Sequence, residues 1–126
     1  MHPLKKARTI ANMEVIMKSR ENLTKEDLYF LVVRESEKMQ SLAGQTVHVD
    51  DWVITNDIDK ETGETKQIIF IKSGDKTYGS VSKTFIESFK TIVSCFGNDG
   101  FSNIKVIEGK SNKGRTFIQS EYVKNA

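Results

Sequence analysis

One cysteine, one proline, one tryptophan and two histidines in 126 residues leave several kinds of chemistry without their raw material. Cys95 alone cannot close an internal disulfide, and with only His2 and His48 beside it no four-ligand zinc site assembles. It lies in the apolar run TIVSCFG, where a small buried thiol is the expectation. No apolar stretch approaches the roughly 20 residues that cross a bilayer, so a membrane partner is not expected. The opening MHPLKKARTIANMEVIMKSR lacks the unbroken apolar region and small-residue cleavage site of a secretory signal, which gives the expectation of a cytoplasmic protein. Phosphate-cradling and zinc-hydrolase motifs are also missing, and DIDKETGE lacks the spacing of a calcium loop. No catalysis, metal or cofactor is expected.

Charge of one sign is scarce too, with a net of +2, but its distribution is uneven. Residues 39–100 hold six cations against nine acids, whereas residues 101–126 hold five against two. The basic C-terminal part suits an anionic partner, although a plain solvated surface accounts for the same count.

What is present is periodicity. Leu4, Ala7, Ile10, Ala11 and Val15 or Ile16 recur at helical spacing over residues 4–19, behind a Pro3 compatible with a first helical turn. TKEDLYFLVV opens with Thr24 and Asp27 in a capping-box arrangement and predicts a second helix, though its apolar run suits a strand nearly as well. GQTVHVDDWVITND predicts a long strand bent at Asp50 and Asp51. KQIIFIKS and TYGSVS follow as strands around the turn GDK. The clearest helix is SKTFIESFKTIVSCFG: Ser82 caps it, Phe85, Phe89, Ile92, Val93 and Phe96 form a stripe expected in the core, and Gly97 ends it. NIKVIEG and RTFIQSEYV are the last two strands, joined by a basic connector.

Three strands, a helix and two strands is the element order of an OB-fold, a five-stranded Greek-key barrel with a helix between its third and fourth strands. Other small β-barrels and α+β layers share the string. The expected organisation is an extension over residues 1–40, helical or irregular and packing on the core or a partner, followed by an OB-fold-like domain over residues 41–126. Barrels of this kind hold single-stranded nucleic acid with aromatic faces and Lys or Arg beside them. The candidates are Trp52 on the first strand, Phe70 and Lys72 on the second, and Lys76 and Tyr78 on the third. Lys110, Lys113 and Arg115 lie in the last connector, with Phe117 just beyond. Trp52 and Phe70 serve equally well as core, and Phe117 and Tyr122 fall on opposite faces of the last strand.

The stretches SLAGQTVHVDDWVI, YGSVSKTFIESFKTIV and IKVIEGKSNKGRTF resemble small single-stranded DNA-binding proteins encoded by phages of Gram-positive bacteria, over about residues 39–123. The resemblance implies an OB-type protein that coats single-stranded DNA, without catalysis, during viral replication in the host cytoplasm. It points to Lys83 and Thr84 of SKTF and to Lys110, Lys113, Gly114 and Arg115 of the connector. The ending SEYVKNA departs from the acidic tails of bacterial counterparts, so tail-mediated recruitment is not expected. Single-stranded DNA is the expected partner, with RNA, self-association and host or replication proteins left open. The rival reading is a small phage factor that binds and modulates or inhibits a host protein, using the barrel as a scaffold.

Overall fold

The apolar runs of two neighbouring strands organise the molecule, for which a computed structural model describes residues 13–58 and 61–124. β4 (Asp51–Ile58) and β5 (Thr65–Ser73) pair antiparallel, and both faces of the pair are covered. Trp52, Ile54, Ile69 and Ile71 face one core, while Val53, Ile68 and Phe70 face another. Burial on two sides explains why these strands read as continuous apolar runs instead of alternating ones.

β4 and β5 lie inside a five-stranded sheet in the order β1 (Met13–Lys18), β4, β5, β6 (Lys76–Ser80) and β2 (Glu37–Lys38). A second sheet has the order β3 (Thr46–His48), β7 (Asn103–Lys110), β8 (Thr116–Tyr122). Every pairing is antiparallel except that of β2 with β6. The predicted bent strand is therefore real, but Val49 and Asp50 divide it into β3 and β4, one for each sheet.

The main core fills the space between the sheets and against α2 (Lys83–Phe96). Ser82 caps α2 by accepting a hydrogen bond from the Phe85 amide at 3.2 Å, and Gly97 ends it at φ +90°, a conformation glycine adopts freely. Phe85, Ile86, Phe89, Ile92 and Val93 point inward, and Phe89 meets the edge of Trp52 at 4.9 Å. Burying each such side chain stabilises the fold by about 1.5–3 kcal/mol. The core stops at Val93. Phe96, expected in the buried stripe, is 43% exposed and stacks on Tyr122 at 4.1 Å, and Cys95, expected buried, is exposed beside it. The helix outruns the core beneath it: residues 94–96 are all exposed.

The second core lies on the outer face of the larger sheet. The predicted helix starts as read, with Thr24 and Asp27 forming both hydrogen bonds of the capping box. α1 (Lys25–Leu28) passes into a π-helical turn over Tyr29–Val33, which presses Leu31 and Val32 onto Val53, Ile68 and Phe70. Arg34 fastens the segment by donating to the Asp75 carbonyl at 3.0 Å, and the Thr77 hydroxyl donates to the Phe30 carbonyl at 2.9 Å. Residues 13–18 are the edge strand β1, with an irregularity between Val15 and Met17, and not part of a helix over 4–19. Pairing with β4 outweighs a weak helical period, since a short helix without tertiary support is marginal. Residues 1–12 lie outside the described residues.

The chain is thus mainly β, in two sheets that do not close into a barrel. Both edges that would meet are already occupied. The edge of β6 carries β2, with Glu37 opposite Tyr78 and Lys38 opposite Gly79. The edge of β8 is satisfied by serines of the helix region: the Ser82 hydroxyl donates to the Ile118 carbonyl at 3.3 Å, and the Ser120 amide donates to the Ser88 hydroxyl at 2.9 Å. Covering an edge in this way removes its capacity to pair with another strand. Met39, in the 3-10 turn after β2, fills the main core and has no exposed surface.

Candidate nucleic-acid interface

The β7–β8 hairpin holds the basic connector in one shape. Lys110 opposite Thr116 is the last strand pair. Beyond it the Ser111 amide donates to the Arg115 carbonyl at 2.8 Å, the Gly114 amide to the Ser111 carbonyl at 2.9 Å, and the Arg115 amide to the Ser111 hydroxyl at 3.2 Å. Gly114 takes φ +80°, which a side chain there would strain. The loop's backbone is bonded to itself. Lys110, Lys113 and Arg115 are exposed, and among the described residues no ion pair or side-chain hydrogen bond holds them.

Where the two sheets fail to meet, a groove of about 550 Å³ remains. Its walls are residues 36–40 around β2, residues 79–82 leading into α2, and residues 116–118 at the start of β8, with Ile68 and Phe70 beneath. The ring of Phe117 lines it while lying across Gly109 on the neighbouring strand, so close that a Cβ on Gly109 would stand 2.8 Å from the ring's Cζ. A cation accompanies every wall. Lys38 belongs to the first, Lys83 follows the second, Arg115 precedes the third, and Lys110 faces Thr116 across the ladder. Glu37, the acid on this groove, is tied to Lys76 at 3.3 Å. An apolar, partly aromatic lining with cations on or next to each wall, none of them in an ion pair among the described residues, fits a polyanion with flat apolar bases.

The predicted residues divide accordingly. Trp52 and Phe70 are core, each only 1% exposed, so neither offers a ring face to a base. The Trp52 indole N–H donates to the Asn98 carbonyl at 2.9 Å, which satisfies its polar group. Strand register separates the others: Phe70 stands opposite Gly79 and Ile71 opposite Tyr78, which puts Phe70 and Lys72 on the outer face of the sheet and Lys76 and Tyr78 on the inner. Tyr78 is half-buried against the main core. The Lys72 ammonium donates to the Gly74 carbonyl at 2.8 Å. Glu37 hydrogen-bonds Lys76 and attracts its charge, raising its pKa above the ordinary lysine value. Of the predicted residues, Phe117 and Phe70 line the groove, while Lys83 and Arg115 adjoin its lining residues Ser82 and Thr116 along the chain, Lys110 pairs with Thr116, and Lys113 lies on the connector.

Sequence reasoning missed Lys38 and Val81. Lys38 sits in a two-residue strand, too short for any period to betray it. Val81 lines the groove yet is 55% exposed, in a stretch read simply as the end of a strand. Arg20 shows the opposite case, a cation the fold has claimed. It binds Asp51 through two nitrogens at 3.0 and 3.2 Å and reaches Asp27 at 3.2 Å. The hydrogen bond to Asp51 raises its pKa, while the Thr24 amide and hydroxyl lower that of Asp27.

No curated protein and no solved structure matches the chain. One family does: the model for the phage single-stranded DNA-binding protein, of Phi29 type, matches residues 28–121. That span runs from the helical cover of the second core to β8 and takes in the whole groove and its connector. With most of its length matched, the chain belongs to the phage single-stranded DNA-binding protein family.

Proposed function

We propose that the protein coats and protects single-stranded DNA during phage replication or recombination, without catalysis and with little regard to sequence, in the cytoplasm of the host bacterium. The observation that carries this reading is the groove at the open seam, lined by Phe117 and Lys38, with Lys83 and Arg115 next to its lining residues along the chain and Lys110 paired with Thr116. Phosphates lie along the cations and release their counterions, while a base stacks on the Phe117 ring. Neither interaction reads base edges, so affinity varies little with sequence and extends in principle to RNA. Coating a strand brings copies side by side, which is where self-association and contacts with replication proteins enter.

We also read the two sheets as an OB-type barrel opened at one seam. The support is the element order, the first strand shared between sheets as β3 and β4, and α2 between β6 and β7. Fluorescence anisotropy of labelled oligo-dT at two salt concentrations, beside a duplex control, tests the functional reading. The expected result is tight binding to the single strand that weakens steeply with salt. No binding at low salt sinks it.

A further inference from the structure

The groove does not stop at Ser82. Val81, which neither core cluster claims, also lines a second groove of about 330 Å³, bounded by residues 65–67 of β5 and the first turns of α2. Lys66 and Lys83 stand exposed on it, and among the described residues nothing pairs with either side chain. Its one acid, Glu87, lies 3.6 Å from the ammonium of Lys90. Past Thr65 and Lys66 a third depression of about 270 Å³ follows, lined by Asp57, Ile58, Glu64, Thr65 and Lys66.

Resting on the single-stranded DNA reading above, we infer that the bound strand leaves the seam groove over Val81, crosses the start of α2 and reaches Lys66. Continuity supplies the path, because the grooves share Val81. Charge supplies the direction, because a phosphate chain is drawn to Lys83 and Lys66. Val81 is the apolar surface that a base or sugar covers at the crossing. Lys66 is thereby a phosphate contact on a strand remote in sequence from the basic connector.

The test uses the full chain and labelled oligo-dT long enough to pass both grooves. Lys66→Gln lowers the slope of log affinity against log salt by about 0.7, the value of one phosphate contact on a single strand. Val81→Asp weakens binding at fixed salt, while Lys105→Gln, an equal loss of charge on the outer face of the smaller sheet, leaves the slope unchanged. If Lys66→Gln leaves the slope intact while Lys110→Gln, Lys113→Gln and Arg115→Gln together flatten it, the strand stops short of Lys66; the inference is overturned and the groove reading stands. An equal fall with Lys105→Gln makes the effect one of net charge and overturns it as well. If none of these substitutions changes the slope, the groove reading fails too.

Discussion

The β5–β6 and β7–β8 hairpins carry nearly the same side chains. The first offers Phe70, Lys72, Lys76 and Tyr78 around SGDK; the second offers Lys110, Lys113, Arg115 and Phe117 around a turn of similar composition. In the first, the fold has taken everything. Asp50 accepts from the Gly74 amide at 2.6 Å, Arg34 donates to the Asp75 carbonyl, Lys72 bonds back to the turn, Lys76 pairs with Glu37, and Phe70 lies under Leu31 and Val32. In the second, the backbone bonds to itself and, among the described residues, no side chain pairs with the cations. A cation serves a ligand only if the protein has not already neutralised it, and composition does not record that difference.

The comparison breaks or sharpens most visibly at its two aromatics. Phe70→Ala removes a ring only 1% exposed from the second core beneath the groove and should lower stability by about 3–5 kcal/mol in urea denaturation. Phe117→Ala should instead weaken oligo-dT binding by about 1–3 kcal/mol, the range of one stacked base, with a smaller loss of stability than Phe70→Ala. Wild-type affinity in that variant would take the ring out of the interface.

The cations come next. Replacing Lys110, Lys113 and Arg115 with Gln should reduce the salt slope by about 2, at about 0.7 per contact. Lys72→Gln with Lys76→Gln should leave the slope as it was; if both sets flatten it alike, the two hairpins do not differ in the way described. A milder change, Gly109→Ala, puts a methyl 2.8 Å from the Phe117 ring and forces the ring to swing aside. Its affinity, measured by the same anisotropy, should fall between wild type and Phe117→Ala.

The smallest effect is the pH dependence of the exposed Lys76–Glu37 pair. Its partner raises the folded pKa of Lys76 above 10.5, so the stabilisation is complete below that pH and disappears as pH rises through the higher folded value. Thermal melts across this alkaline range should show a small loss of stability in wild type that Lys76→Gln lacks. An identical decline in both proteins would leave the pair without a role in the first hairpin.

Some of this was readable residue by residue. Ser82, the apolar stripe and Gly97 mark α2 because a cap, a 3.6-residue period and a φ-permissive stop are all local features. The capping box at Thr24 and Asp27 is local in the same sense. Trp52 and Phe70 were not assignable, because a strand covered on both faces has no alternation to say which ring is free. β1 was hidden by a helical period that its pairing with β4 overrides, and β2 by its brevity. The exposure of Phe96 and Cys95 depends on where the core ends beneath the helix, which no window along the chain contains.

By itself, the sequence determined the β-rich element order, the capped helix between the third and fourth predicted strands, and a hairpin tip crowded with cations, because each arises from neighbours along the chain. Only the tertiary structure decided that the sheets stay apart, that β2 and the serines at α2 occupy the edges that would have joined, and that Lys38 and Phe117 come to line one groove whose walls Lys83, Lys110 and Arg115 adjoin. Edge pairing and charge neutralisation are made between residues tens of positions apart, so their outcome exists only once the chain has folded.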